Sequence, residues 1–253
     1  MAEALLVAED GPITRVTLNR PERRNALSLA LIEELRTTLE EVRGQVVVLA
    51  GNGPCFSAGH DLSELQACTT ADAAELFEAC TRLMLTIQTI DQPVIAQVHG
   101  VATAAGCQLV ASCDLAVAER GARFATPGVK IGLFCSTPMV PLSRAIGRKR
   151  AMKMLLTGEF IDAGTAADWG LVNDFVEPDA LAATVDALAR QIAAASPAVV
   201  ALGKRTFHRQ ADLDQRQAYD LAGATMTANT GLHDCAEGIA AFLDKRDPSW
   251  KGR

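Results

Sequence analysis

The sequence predicts an α/β fold with a mainly parallel sheet, followed by a region made only of helices. Short apolar runs at residues 46–50 and 94–98 are typical of strands that are buried on both faces. Stretches with helical periodicity separate these runs, as expected for crossovers between parallel strands. From residue 180 onward only helical patterns remain. We therefore divide the chain into an α/β core, residues 1–195, and a helical C-terminal region, residues 196–253.

Turn-forming and helix-capping residues in the first ninety positions set the bounds of the early predicted elements. Asp10-Gly11-Pro12 is a turn sequence between two apolar runs and predicts a β-hairpin. Ser28 can cap the next helix, because Leu31 and Leu35 begin its apolar face. The predicted order is a hairpin (4–8 and 13–18), a polar loop (19–25), a helix from Ser28, a strand (46–50), a turn-rich loop (51–61) and a helix (71–90).

The segment 96–132 is rich in small residues and joins two predicted strands through a helix. Beyond it, Asp162 is placed to cap a short helix and Gly170 to end it. The remaining predictions are a segment at 137–142 that leads into a helix, helices at 148–156 and 163–169, a strand at 171–176, and helices at 180–195, 197–213 and 219 to about 243.

Composition limits the classes of partner. The chain is 49% hydrophobic and carries a net charge of −6, which argues against a nucleic-acid partner. Its seven cysteines show no CxxC pair and are expected to be free thiols in a reducing compartment. No signal peptide, apolar stretch of membrane length or metal-ligand spacing is evident, so we expect no membrane, no metal and a cytoplasmic location by default.

Two loops of one kind follow predicted strands, at residues 56–62 and 100–106. Each passes through small residues toward a helix, where the first N–H groups lack intrahelical partners. Two such amides that converge on one carbonyl oxygen stabilise the negative charge that develops there. Taken alone, the small residues at 102–106 are equally consistent with tight helix packing.

These loops belong to a series of motifs through which the chain resembles the crotonase (enoyl-CoA hydratase/isomerase) superfamily. The resemblance implies a crotonase-type spiral of ββα units with a C-terminal helical trimerisation region. The matching segments are 18–21 (LNRP), 25–27 (NAL), 56–62 (FSAGHDL), 100–108 (GVATAAGCQ), 113–116 (CDLA), 124–132 (FATPGVKIG), 156–158 (LTG), 170–172 (GLV), 237–238 (EG) and 241–246 (AFLDKR).

The resemblance also implies roles for individual residues. The backbone N–H groups of His60 and Ala105 would form the oxyanion hole of a CoA thioester. Coenzyme A would enter as part of the substrate, with no permanently bound cofactor. The positions that would contact it are Arg23, Arg24, Ala26, Ala58, Asp61 and Leu62, together with Phe242 and Lys245, which often act from a neighbouring subunit of a homotrimer or a dimer of trimers.

The same alignment of motifs places Gln108 and Gly128 where the family's hydratases keep two glutamates. Neither residue can exchange a proton at neutral pH, and general acid–base catalysis is worth roughly 10²–10⁴-fold in rate. We expect that restoring both, Gln108→Glu with Gly128→Glu, raises hydration if the scaffold is intact.

Three functions stay open on the sequence alone. The chain could be an enoyl-CoA hydratase/isomerase-type lyase, a non-catalytic acyl-CoA-binding protein, or an enzyme of another CoA-thioester reaction. In the last case Cys135 or Ser136, in the segment that lines the family's acyl pocket, could support thioester hydrolysis.

Overall fold

A computed structural model describes residues 3–253 and has the predicted order of strands followed by helices. Two sheets are present in this part of the chain. The strands are β1 (Leu5–Asp10), β2 (Ile13–Leu18), β3 (Val46–Gly51), β4 (Val94–Val98), β5 (Val101–Thr103), β6 (Leu115–Glu119), β7 (Arg123–Ala125), β8 (Ile161–Asp162) and β9 (Asp174–Val176).

Helices fill the spaces between the strands and form the whole C-terminal region. They are α1 (Leu29–Glu41), α2 (Leu62–Ala67), α3 (Thr70–Thr89), α4 (Ala105–Ser112), α5 (Met139–Ala145), α6 (Arg148–Thr157), α7 (Ala163–Trp169), α8 (Leu181–Ala193), α9 (Pro197–Gln210), α10 (Gln215–Thr230) and α11 (His233–Asp244). Short 3₁₀ turns lie at Pro21–Arg23, Pro127–Ile131 and Pro178–Ala180.

The main sheet has six strands in the order β1-β2-β3-β4-β6-β9. The β1–β2 pair is antiparallel, which confirms the predicted hairpin, and every later pair is parallel. Strands β5, β7 and β8 form a small second sheet beside it. The predominantly parallel sheet of the sequence analysis is therefore confirmed.

The main sheet is covered on both faces, as the continuous apolar strands predict. Val47 and Leu49 of β3 pack into the large core that also contains the buried faces of α1, α3 and α4. Val46 and Val48 point the other way, into a smaller core with α8. Because successive side chains of a strand alternate between faces, a strand covered twice needs an unbroken apolar run.

Three details differ from the predicted elements. Strands β5, β7 and β8 are only two or three residues long, too short to give a periodic signal. The helix predicted from residue 219 to about 243 is two helices, α10 and α11, with a break at Gly231 and Leu232. The strand predicted at 171–176 is confined to β9, because the Leu171 N–H closes the end of α7 on the Ala166 carbonyl at 2.9 Å.

A buried ion pair joins the core to the C-terminal region. The Lys204 ammonium of α9 lies 2.7 Å from a carboxylate oxygen of Asp114, and donates to the carbonyls of Ile87 at 2.6 Å and Gln92 at 2.7 Å. Asp114 also accepts the Val94 N–H at 2.8 Å, so its carboxylate has a structural role at the beginning of β4. His208 lies 3.1 Å from the other Asp114 oxygen. The Asp114–Lys204 ion pair fixes α9 against the beginning of β4.

The C-terminal helices leave large apolar side chains in solvent. Phe242 is 83% exposed and Met226 72% exposed, and Phe207, Tyr219, Ile239 and Leu243 are exposed as well. Within residues 3–253, no single helix is long and apolar enough to cross a membrane. One bent pair of helices, Pro178–Ala193 and Pro197–Gln210, reaches that length and composition only when the two are counted together. All seven cysteines are free, as predicted.

Candidate active site

A cavity of 480 Å³ lies where the two small-residue loops meet. Its walls come from the loop before α2, the start of α4, helix α3 and the segment 127–138. Most of the lining is apolar, including Leu62, Leu65, Phe77 and Phe134, with His60, Lys130, Ser136 and Thr137 as polar members. No aspartate or glutamate lines this cavity among the described residues.

The two loops touch at Gly59, whose backbone has φ +90°. A Cβ atom at this position would lie 2.8 Å from the Thr103 carbonyl oxygen and 3.1 Å from the Ala105 nitrogen. An isolated parallel β-bridge between Ser57 and Ala102 joins the same two loops just before this contact in the sequence of each. The two loops are therefore in contact, and glycine is required for their close approach.

Between Phe56 and Asp61, hydrogen bonds engage every amide except one. The Ala58 N–H donates to the Arg24 carbonyl at 3.0 Å and the Gly59 N–H to the Ser57 hydroxyl at 3.2 Å. The Asp61 N–H donates to the Leu27 carbonyl at 3.2 Å. The N–H of His60 donates to no other group of residues 3–253. It is therefore left free at the cavity wall.

In the second loop, an unusual backbone conformation frees the next amide. Ala104 has φ 50° and ψ −118°, although it is not glycine, and it immediately precedes α4. Its own N–H donates to the Ala125 carbonyl at 3.0 Å, whereas the Ala105 N–H has no acceptor in the described chain. A strained residue at the start of a helix is costly and is typical of functional sites. Two residues whose N–H groups have no acceptor in the described chain therefore line one cavity, an arrangement that can hold a carbonyl oxygen.

The His60 side chain also lines the cavity. The sequence analysis gave a role to the backbone N–H of this residue and none to its ring. The imidazole packs edge-on against Phe77, with ring centroids 5.5 Å apart. Both ring nitrogens are shielded from solvent and make no hydrogen bond of good geometry. Burial lowers the pKa of His60 below 6.5, and the Leu27 carbonyl offsets this only in part. The ring is therefore neutral near pH 7 and has unused hydrogen-bonding capacity.

Gln108 occupies the core behind the cavity and does not line it. The residue is 3% exposed, and its side-chain oxygen is 3.9 Å from the Cys80 sulfur, a weak thiol hydrogen bond. Its N–H closes the first turn of α4 on the Ala104 carbonyl at 3.0 Å. In this arrangement the Gln108 amide stabilises the packing of α4 against α3.

Gly128 has no room for a side chain. A Cβ atom there would lie 2.0 Å from the Leu133 carbonyl oxygen and 2.8 Å from the Cys135 sulfur. The Leu133 N–H donates to the Gly128 carbonyl at 3.0 Å, so the segment 133–135 is folded directly onto the glycine. A glutamate at position 128 would therefore require the Leu133 backbone to move, so the expected gain in hydration from restoring both glutamates depends on that movement.

Cys135 and Ser136 both line the cavity, but within residues 3–253 neither forms a hydrogen bond with a basic side chain. Burial raises the pKa of the Cys135 thiol, and the Gly128 backbone lowers it by a smaller amount. The Ser136 hydroxyl donates only to the Phe134 carbonyl, at 3.4 Å. The thiol therefore lacks the depressed pKa of an activated nucleophile, and the hydroxyl bonds to a backbone carbonyl instead of a base.

The structure brings only some of the predicted CoA-contact residues to the cavity. Ala58 and Leu62 line it. The Asp61 carboxylate instead caps α2 through the Ser63 N–H at 3.1 Å and lies 3.5 Å from Arg20. The other predicted contacts do not line the cavity; Arg23, Arg24, Phe242 and Lys245 are exposed and Ala26 is buried.

Phe77, an apolar residue of the helix predicted at 71–90, lines the cavity. The buried stripe runs through Leu76, Cys80, Leu83 and Ile87, and Phe77 lies at its edge. Phe77 lies one residue outside this buried series, and that position is the sequence signal that its side chain faces away from the core. Among residues 3–253, no group of three His, Cys, Asp or Glu side chains could hold a metal ion.

Comparisons with known proteins agree with this geometry. The family model described as enoyl-CoA hydratase/isomerase matches residues 8–253. The mouse protein "enoyl-CoA hydratase domain-containing protein 3, mitochondrial" is 48% identical over 247 residues, which are 96% of this chain and 82% of that protein.

Solved structures show the same fold. An enoyl-CoA hydratase from Mycobacterium smegmatis is 49% identical, with a TM-score of 0.94 over 98% of this chain and 99% of that one. Human enoyl-CoA hydratase domain-containing protein 3 is 45% identical, also with a TM-score of 0.94, and the match covers 98% of this chain and 100% of that one. The crotonase-type fold of the sequence analysis is confirmed.

One expectation of the sequence analysis is wrong. The relatives from mouse, zebrafish and human are all named as mitochondrial proteins, which contradicts the default of a cytoplasmic location. The cytoplasmic location was expected only because no targeting segment was recognised, and this is weak evidence for a compartment.

Proposed function

Because this chain belongs to the enoyl-CoA hydratase/isomerase family, we propose that it binds an acyl-CoA or enoyl-CoA thioester and polarises the thioester carbonyl without a pair of catalytic glutamates. The observation that carries this proposal is the pair of unengaged N–H groups, those of His60 and Ala105, at one cavity wall.

The two amides would serve as an oxyanion hole. The close contact at Gly59 and the strained backbone of Ala104 restrain the residues on either side, so we expect little reorganisation on binding. Removing one donor of such a site typically costs roughly 10²–10³-fold in rate. This supports enzymes that proceed through an enolate, in which negative charge accumulates on the thioester oxygen.

The chemistry beyond that point differs from hydration by two acids. By the family resemblance, Gln108 and Gly128 occupy the acid positions, and no carboxylate lines the described cavity. Water addition would then lack the proton transfer that contributes roughly 10²–10⁴-fold. We therefore propose that hydration of crotonyl-CoA by this chain is close to the buffer rate.

The CoA moiety is proposed to run past Arg23, Arg24 and Ala26 toward the surface. Phe242 and Lys245 would reach it from a neighbouring subunit. Members of this family are typically oligomeric, and the exposed apolar side chains of α9–α11 support a homotrimer or a dimer of trimers, in which association buries them.

The test of carbonyl polarisation changes the ligand and leaves the protein intact. Butyryl-CoA and its thioether S-butyl-CoA differ by the one carbonyl oxygen that the two amides would bind. Two neutral hydrogen bonds are worth about 1–3 kcal/mol in total, so the thioester should bind about 5- to 150-fold more tightly in titration calorimetry. Equal affinities would exclude the oxyanion hole. Crotonyl-CoA hydration, measured in parallel, tests the missing acid chemistry.

A second candidate is thioester hydrolysis, because Cys135 and Ser136 line the same cavity. It predicts that free CoA is released and that this release disappears in Cys135→Ala or Ser136→Ala. Binding without any turnover is the remaining alternative, and it would give a carbonyl-dependent affinity with no product from any acyl-CoA tested.

A further inference from the structure

We propose that the buried hydroxyl of Ser57 positions the oxyanion hole: it holds Gly59, and through Gly59 the direction of the His60 N–H, without touching the ligand. This inference rests on the proposed function, because it concerns one of the two amides that would bind the thioester oxygen. Ser57 is fully buried and does not line the cavity. It is therefore a positioning residue, and it acts only through the backbone of the first loop.

Gly59 is the most flexible point of this loop. It has φ +90° and no Cβ atom, so backbone sterics restrain the two peptide groups beside it less than at other residues. The peptide between Gly59 and His60 carries the unengaged N–H. In a trans peptide the carbonyl and the N–H point in opposite directions, so a rotation of this plane changes the direction of the His60 N–H.

Two hydrogen bonds hold the peptide groups on either side of Gly59. The Leu27 N–H donates to the Gly59 carbonyl at 2.8 Å, which orients the plane that carries the His60 N–H. The Gly59 N–H donates to the Ser57 hydroxyl at 3.2 Å, which orients the preceding plane. With both planes held, the backbone angles of Gly59 are restrained. Of the two bonds, only the one to Ser57 involves a side chain, so it can be removed by substitution.

The Ser57 hydroxyl is itself tied to a well-anchored acceptor. It donates to the Asn25 carbonyl at 2.9 Å. Asn25 is buried, and its side-chain amide donates to the carbonyls of Asn52 and Cys55, both at 2.9 Å. A buried polar group is normally paired, and one that loses its partner in the interior is not freely rescued by bulk water. The loop therefore depends on this one hydroxyl for the restraint of the Gly59 N–H.

The test is the carbonyl preference of Ser57→Ala, measured as the ratio of the affinities for butyryl-CoA and S-butyl-CoA in titration calorimetry. We expect the ratio to fall about 2- to 12-fold below that of wild-type protein, the contribution of one neutral hydrogen bond. The affinity for S-butyl-CoA, which lacks the carbonyl, should stay within about twofold, because one exposed amide is all that changes for it. The infrared stretching frequency of an isotope-labelled thioester carbonyl in bound butyryl-CoA should rise, since the oxygen loses a donor.

Ser196→Ala is the matched control. Ser196 is also buried, and its hydroxyl likewise donates one bond and accepts one, to the Asp234 carboxylate at 2.6 Å and from the Val199 N–H at 3.4 Å. It caps α9 and does not line the cavity. This variant should lower the Tm and leave both the affinity ratio and the carbonyl frequency at their wild-type values.

An unchanged ratio and carbonyl frequency in Ser57→Ala would overturn the proposal. Equal losses of affinity for the two ligands would also overturn it, because they would assign Ser57 a general structural role. If Ser57→Ala does not fold, Ser57→Cys takes its place, since its thiol is a weaker hydrogen-bonding group; an unchanged ratio there has the same meaning. If wild-type protein shows no preference for the thioester, it is the proposed function that fails, and this inference falls with it.

Discussion

Replacing Gly128 by alanine tests whether the segment 133–135 excludes an acid from this site. The added Cβ would lie 2.0 Å from the Leu133 carbonyl oxygen, which is backbone and cannot rotate away. Overpacking of this kind typically costs about 1–3 kcal/mol. If Leu133 shifts to relieve it, the 3.0 Å hydrogen bond from its N–H to Gly128 is lost, at a further cost of about 0.5–1.5 kcal/mol.

The sum is a loss of about 1.5–4.5 kcal/mol in the free energy of unfolding. For a chain of this size that corresponds to a fall in Tm of about 3–18 °C. Scanning calorimetry at one fixed protein concentration measures it, because assembly makes Tm depend on concentration. Gly223→Ala is the matched control, since a Cβ at this helical glycine meets nothing within 4 Å. It should stabilise by up to about 1 kcal/mol.

The catalytic counterpart is the double variant Gln108→Glu with Gly128→Glu. We expect no gain in crotonyl-CoA hydration, because the second carboxylate cannot be placed without moving Leu133. A Gly128→Ala protein with the wild-type Tm, or a double variant that hydrates crotonyl-CoA well above the buffer rate, would refute this reasoning.

Three other predictions concern the loops and the C-terminal region. Gly59→Ala should remove the preference for butyryl-CoA over S-butyl-CoA, while Gly11→Ala, a left-handed turn glycine with open space around it, should keep it. The pKa of His60 is lowered on folding, so below pH 6.5 the unfolded chain takes up a proton that the folded chain resists; the free energy of unfolding should fall as pH drops from about 7 to 5, and less so in His60→Phe, as chemical denaturation can measure. Phe242→Asp should shift the mass from light scattering from three or six chains to one, and a wild-type monomer would contradict the assembly.

The hydrophobic pattern predicted the main sheet well because its cause is local. The unbroken run Val46–Gly51 must be covered on both faces, and α8 and the main core cover it. Caps were equally readable, as at Ser28, whose hydroxyl accepts the Leu31 N–H at 3.3 Å. Such signals depend on neighbours in sequence, so no tertiary information is needed to use them.

The site was predictable in outline, and the details that decide its chemistry were not. Small residues at 56–62 and 100–106 indicated convergent amides. That Leu133 fills the space beside Gly128, and that the His60 ring is unpaired against Phe77, depends on how distant segments meet. Neither has a signature in spacing or composition.

The Asp114–Lys204 ion pair bears on whether the two regions of the chain can fold independently. A fragment that ends at residue 195 would lack Lys204 and would leave the Asp114 carboxylate and the carbonyls of Ile87 and Gln92 without their donor. Leaving a buried acceptor unpaired costs about 1–3 kcal/mol, and more for a charged group. We therefore expect the boundary near residue 195 to mark a change of architecture, whereas the cooperative unit of folding extends through α9.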